Sequence, residues 1–242
     1  MTTRFSSQRY VPKAPFSIIT GSISSAGPST ASSTIELELK VLPYTNPYAA
    51  AKSTATPRFI QVIGYSGCGK STLAKQLADH YNLPILHLDN VHWHGNWEER
   101  THNEEEWLIK AFLKENEDKG WVIDGDYFKA APERFYYANL TVLLEFNRFW
   151  CWWSCFKRSR EWKGKTRGTC PCTEKFDWGF QKWILWTGRV KKVVRQHEKI
   201  MGNGRGEKLR FRSRKELLTW LDGLDKAEMS VQAGSGPTVA RD

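Results

Sequence analysis

From Gly64 the chain reads Gly64-Tyr65-Ser66-Gly67-Cys68-Gly69-Lys70-Ser71, a match to G-x-x-x-x-G-K-[ST]. Residues of these types at this spacing bind phosphate. The glycines let the backbone curl so that successive amide N–H groups face one anion, and a helix beginning near Lys70 adds the positive end of its dipole. The Lys70 ammonium can then reach the β- and γ-phosphates of a nucleoside triphosphate, while the Ser71 hydroxyl can ligate Mg²⁺. Gly64, Ser66, Gly67, Cys68, Gly69, Lys70, Ser71 and Thr72 are therefore the expected nucleotide-binding residues, with ATP and Mg²⁺ as the expected ligands.

Two acids end apolar runs further on, Asp89 in PILHLD (84–89) and Asp124 in GWVID (120–124). Ligands of open α/β sheets sit beyond the carboxyl ends of the strands, so both acids are expected at the crevice that holds the phosphate loop. Either could hold Mg²⁺ through water, bind an acceptor hydroxyl as a base, or merely cap the helix that follows. Two metal-like clusters carry less weight. Cys151, Cys155, Cys170 and Cys172 lack a pair of C-x2-4-C knuckles, which favours free thiols over zinc. His87, His92 and His94 lie on a strand and its loop, where packing or substrate contact is the plainer reading.

These groups need elements to position them. Apolar runs at 58–64, 84–89, 120–124, 140–146 and 208–211 predict five short strands, and helical patterns lie between them, the first over 71–81. Asn103 with Glu106 predicts a capping box for a helix from Glu104, Ser213 with Glu216 predicts another for the last helix, and 181–199 reads as one long helix. Strands alternating with helices imply a three-layer α/β fold, a five-stranded parallel sheet with helices on both faces, and the basic segment that follows the fourth strand is expected as a helical lid.

The ends read differently. Residues 1–57 are rich in Ser, Thr, Ala and Pro and read as a disordered leader; up to Thr34 they include Arg4, Arg9 and Lys13 and no acid, a pattern compatible with a mitochondrial transit peptide. Low-complexity tail is the preferred reading of that leader, and a cytoplasmic protein the expectation. A folded domain is expected over 58–224 and a second disordered tail over 225–242. No stretch approaches the roughly 18 uninterrupted apolar residues of a membrane span. An odd cysteine count of 5 with no secretory apolar segment argues against a disulfide framework.

The blocks VIGYSGCGKSTLAKQLA (62–78), LPILHLDNVHWHGNW (83–97), GWVIDGDY (120–127) and RFWCWWSCFKRSREWKGKTR (148–167) together resemble the topology-modulation-protein family, a branch of the adenylate kinase-like P-loop kinases. That resemblance covers 59–224. It implies that Asp89 engages a phosphate acceptor with Trp93 and Trp97 beside it, that Asp124 holds Mg²⁺ through water, and that Arg158, Arg160 and Arg167 surround a mobile lid. Lys70, Asp89, Asp124, Arg158 and Arg167 are accordingly the expected catalytic residues, with Ser71 and Asp124 at the metal. The sequence departs from the family at Asp126, where Asn is usual, and at Glu145-Phe146-Asn147, where Asp and Pro are usual. Asp126 adds negative charge near the expected acceptor site, which weighs against an anionic acceptor.

The net charge of +10 concentrates between Arg148 and Lys215, where 20 Lys or Arg face 5 acids. Such a field attracts polyanions, nucleotide or nucleic acid alike. As a lid, its arginines would neutralise charge developing on a transferred phosphoryl group. As a nucleic-acid face, Trp150, Trp152, Trp153 and Trp162 would stack bases between the cations. The lid is favoured because no nucleic-acid-binding motif accompanies the charge. Arg189 or Arg195 could also turn back to the phosphates. The sequence thus points to a P-loop kinase with a small-molecule acceptor, and alternatively to a nucleotide-binding regulatory or DNA-associated P-loop NTPase.

Overall fold

The computed structural model describes residues 57–203 and 206–234; apart from Pro57, the expected leader lies outside them. β1 (Phe59–Gly64) leads into α1 (Lys70–Tyr81), β2 (Ile85–His87), the short α2 (Leu88–His92), α3 (His102–Glu115), β3 (Trp121–Asp124), α4 (Arg134–Tyr137) and β4 (Leu140–Leu144). Next come α5 (Arg148–Glu161), a hairpin of β5 (Thr166–Arg167) and β6 (Cys170–Thr173), and α6 (Trp178–Lys182), which continues as a π-helical turn (Trp183–Thr187). α7 (Lys191–Gly202), β7 (Glu207–Phe211) and α8 (Arg214–Gly234) complete the described chain.

Five strands form one parallel sheet in the order β2-β3-β1-β4-β7. β1, β3 and β4 are buried along their whole length, as unbroken apolar runs require when both faces of a sheet are covered. The two-residue period of a strand sorts their side chains. Ile60, Val62, Val122 and Val142 pack with Leu73, Ala74 and Leu77 of α1, Cys151 and Cys155 of α5 and Leu217 of α8. Phe59, Trp121 and Ile123 face the other way, onto Leu88, Ile109 and Phe112, and Ile63 and Leu143 join Phe135 on α4. The expected α/β three-layer architecture is the one observed.

Several local expectations are corrected. The capping box of α3 uses Thr101 and Glu104, two residues before the expected pair: the Glu104 amide donates to the Thr101 hydroxyl, and the Thr101 amide donates to Glu104 Oε2 at 2.9 Å. The expected helix over 181–199 is two helices, because the π-helical turn closes at Gly188, whose amide donates to Trp183 O at 2.6 Å, and Val190 is extended. The basic lid is not all helix, since the β5–β6 hairpin follows α5. α8 runs on to Gly234, beyond the expected boundary at Leu224. Among the described residues no helix is long and apolar enough to cross a membrane.

Candidate functional site

β1 lies between β3 and β4, so the chain reverses its direction of sheet building at the carboxyl end of β1. The phosphate-loop sequence leaves from that point. Gly64 has φ 141°, and a Cβ there would stand 2.3 Å from Leu144 O; Gly67 has φ 83°, and a Cβ there would stand 2.2 Å from Cys151 O. The loop is thus wedged between β4 and α5 at distances that exclude any side chain. Gly69 precedes α1 without a side-chain cap, and the first turn of α1 holds no acid, so no carboxylate of its own competes for the first-turn amides. Ser71 is half-buried and Thr72 exposed, both at this helix start; Cys68 is buried and its thiol pushed up to about 12. Tyr65 and Ser66 line a small hollow with Trp183, Ile184, Gly188 and Arg189. Arg189 lies 4.0 Å over the Tyr65 ring and donates to Phe146 O at 2.6 Å, whereas Arg195 is exposed. Of the two arginines, Arg189 is the one at the loop.

Lys70 Nζ donates to Gly64 O at 2.6 Å and Tyr65 O at 3.2 Å. Burial alone would lower its pKa, but the pKa is raised, by Cys68 in thiolate form and by Asp126, Asp124 and Asp89. Because the Cys68 thiol is neutral at neutral pH, the three carboxylates are the charges that hold the ammonium there. Asp126, expected near an acceptor site, meets the phosphate loop: its Oδ1 accepts from Gly64 N at 2.8 Å, and its Oδ2 meets Nε2 of the fully buried His197 at 3.1 Å. Burial would raise the Asp126 pKa, yet Lys70, the His197 contact and the Gly64 amide together lower it. The other departure is also absorbed structurally, since Glu145 pairs with Arg210 at 3.2 Å and Asn147 caps α5 by accepting from Phe149 N at 2.8 Å.

Asp124 ends β3 as expected. Its Oδ2 contacts His87 Nδ1 at 2.8 Å, while its Oδ1 is buried without a hydrogen-bond partner. An orphaned buried carboxylate oxygen beside Lys70 fits a water-mediated divalent cation, with the Ser71 hydroxyl as the direct ligand. Asp89 falls two residues past its strand, in the first turn of α2, and its Oδ1 accepts from the Tyr127 hydroxyl at 2.8 Å. Burial and the neighbouring Asp89 charge raise the Tyr127 pKa, which keeps the phenol a donor. Behind this wall the buried Arg134 donates to the carbonyls of Asp126 at 2.6 Å, Tyr127 at 3.1 Å and Ala131 at 3.1 Å, and also to that of Ala130. Burial lowers its pKa to about 9, leaving it charged at neutral pH while it braces the segment that carries Asp126 and Tyr127.

The arginines of the expected lid meet an acid of their own segment. Arg158 and Arg167 both turn to Glu174, at 3.6 and 2.9 Å, and Arg160 is exposed. The hairpin docks on α2 and the loop after it: Asn90 Nδ2 donates to Gly168 O at 2.9 Å, Trp97 Nε1 to Thr173 O at 3.1 Å, and the Trp97 amide to Cys172 Sγ at 3.3 Å. Trp93 meets Trp97 edge to face at 5.4 Å, and His92 is held by Glu105. All five thiols are free and buried, and no cluster of three metal-ligating groups occurs among the described residues. Sequence reasoning missed His197, Tyr127, Arg134 and Glu174. For Glu174 a signal existed, as a rare acid in a basic segment; for the other three no spacing rule points to the contact.

Residues 60–144 match the family model of the viral superfamily 1 RNA helicase core domain. A segment of 35 residues is 54% identical to a shikimate kinase from Rhodopirellula baltica, covering 14% of this chain and 19% of that enzyme. The chain has the fold of the P-loop NTPases and kinases. The match spans about a fifth of the curated relative. A solved shikimate kinase from Bacteroides thetaiotaomicron shares 19% identity over 72% of this chain and 99% of its own, with a TM-score of 0.39. An uncharacterised protein from Eubacterium ventriosum shares 15% over 69% and 99%, with a TM-score of 0.36. Overlaps this loose carry no residue correspondence.

Proposed function

We propose that this protein is an ATP-dependent phosphotransferase of the adenylate kinase-like type, in the topology-modulation branch, which moves the γ-phosphate of Mg·ATP to a small acceptor bearing a hydroxyl or phosphate group. The observation that carries the reading is the division of labour among three acids around Lys70. Asp126 serves the loop, Asp124 keeps an orphaned oxygen where Mg²⁺ would be held with Ser71, and Asp89 stands on the separate wall under the hairpin. An NTPase without an acceptor has no use for that wall. In this reading the loop amides and Lys70 hold the β- and γ-phosphates, Mg²⁺ neutralises charge as the β–γ bridge opens, and Asp89 orients the attacking hydroxyl. Arg158 and Arg167 leave Glu174 to meet the transferred group. The shikimate kinase likeness makes shikimate one member of a test panel of nucleosides, nucleotides, sugars and hydroxy acids. At least one acceptor should stimulate ADP release, and Lys70→Ala should abolish that turnover with the fold retained. A wild-type protein that binds ATP yet releases ADP at the same rate with every acceptor defeats the kinase reading.

One observation favours the regulatory or DNA-associated alternative. Trp150, Trp153 and Trp162 are exposed at 44%, 48% and 39%, and Trp152 alone of the four joins the core cluster. The lid arginines discriminate between the two. Replacing Arg158 or Arg167 by Ala should lower kcat by about 10² or more if they are lid groups. If they contact nucleic acid, each loss should instead reduce the slope of log affinity against log salt by roughly one unit.

A further inference from the structure

We infer that the acceptor is an uncharged polyhydroxylated ring compound, a nucleoside or sugar in chemical class, and not a phosphate or carboxylate. The inference rests on the kinase reading and adds to it the charge of the molecule bound against Asp89. That wall consists of α2, Trp93, Trp97, Tyr127 and the β5–β6 hairpin. Its charged centre is Asp89, which spends Oδ1 on Tyr127 and, among the described residues, makes no hydrogen bond through Oδ2.

An anionic acceptor would need a guanidinium or ammonium to offset this carboxylate, because planar bidentate pairing is how proteins hold phosphate and carboxylate. The guanidinium groups near the wall and the Lys70 ammonium serve other groups. Arg100 Nη1 donates to the carbonyls of Asn90, Val91 and Trp93 at 2.9, 2.8 and 2.8 Å, tying down the loop after α2. Arg134 is buried behind the wall on backbone carbonyls. Arg158 and Arg167 share the one carboxylate of Glu174 and in the kinase reading serve the transferred phosphoryl group, and Lys70 is held by the acids of the loop. Two of the three histidines on this side are matched with carboxylates, His87 with Asp124 and His92 with Glu105, and His94 is exposed.

What remains suits a neutral ring. Asp89 Oδ2 accepts a hydroxyl proton, the Tyr127 phenol fixes that carboxylate, and the Trp93–Trp97 pair offers aromatic surface to the apolar face of a ring. In the transfer, the acceptor oxygen forms a bond to the γ-phosphorus as the bond from that phosphorus to the β–γ bridging oxygen breaks. ADP leaves with the electron pair, and the hydroxyl proton passes to Asp89.

The test uses the full chain and acceptor pairs that differ by one anionic group: cytidine and cytidine monophosphate, thymidine and thymidine monophosphate, glucose and gluconate. Binding is followed by tryptophan fluorescence at saturating Mg·ADP, and transfer by ADP release from Mg·ATP. In at least one pair the neutral member should bind and turn over at least tenfold better than its anionic partner. Asp89→Asn should lose that turnover and narrow the binding gap. Anionic members that match or exceed the neutral ones overturn the inference and leave the kinase reading standing. Failure of every neutral compound to bind also overturns it. A neutral compound that binds tightly while no phosphate is transferred upholds the acceptor class and removes the kinase reading instead.

Discussion

Asp124 and Asp89 look alike in the sequence, each an acid at the end of an apolar run, yet their partners separate them. Asp124 is 5% exposed, shares one oxygen with His87 and leaves the other orphaned in the interior, an arrangement that costs free energy unless a cation or water completes it. Asp89 bonds to a phenol and lies near enough to the hairpin for its charge to act on Cys170. Asp124→Asn should therefore shift the Mg²⁺ titration of activity to higher concentration with little change in acceptor KM, and Asp89→Asn should do the reverse. A Mg²⁺ titration that responds to Asp89→Asn and ignores Asp124→Asn exchanges their roles. The phosphate loop was legible because its spacing is local: eight consecutive residues suffice to specify it. The partners that divide the acids were not legible. His197 reaches Asp126 across 71 positions, and Tyr127 reaches Asp89 across 38. No periodicity links residues so far apart; the sheet order does.

At the level of elements, turn chemistry decided where the reading of the sequence held. The strands and α1 were marked by apolar runs between Gly, Pro and Asp, whereas α3 is capped by Thr101 with Glu104 and not by the expected Asn103 with Glu106. Thr101→Ala should destabilise the protein by about 1 kcal/mol in urea unfolding at neutral pH. The Glu104 carboxylate receives bonds from the Thr101 hydroxyl and amide, and its pKa is lowered. Its contribution is thus present above the ordinary glutamate pKa and lost as pH falls through the lowered value, so the gap between wild type and variant should shrink below about pH 4. A gap that widens in acid contradicts this. The hairpin depends on one buried acid, Glu174, which joins Arg158 on α5 to Arg167 on β5. Glu174→Gln should loosen it, with trypsin cleavage after Lys163, Lys165 or Arg167 accelerating about tenfold. Unchanged cleavage would mean that the contacts of Asn90 and Trp97 hold the hairpin without the ion pairs.

For the whole molecule, one sheet order sets everything else: placing β1 between β3 and β4 brings the loop, Asp124 and Asp126 to one edge, and β2 delivers Asp89 from the side. Composition and periodicity implied the layers, but could not place the basic segment, whose Trp residues divide between core and surface in a way that helical spacing alone does not decide. The cysteines lead to a different kind of measurement. Burial raises the pKa of Cys68 and Cys170 to about 12 and raises those of Cys151 and Cys155. A thiol that is both enclosed and protonated reacts with an alkylating reagent only through fleeting exposure, so these side chains can serve as clocks. At pH 7.5, alkylation of each should run on the order of 10²-fold slower than in urea, at a rate proportional to the population of the opened form. Cys68 times the departure of α5 from the phosphate loop, and Cys170 the lifting of the hairpin. Added nucleotide should slow the first clock, and added acceptor the second. A Cys68 that alkylates as fast in the native protein as in urea would show that the loop is not held as the geometry requires.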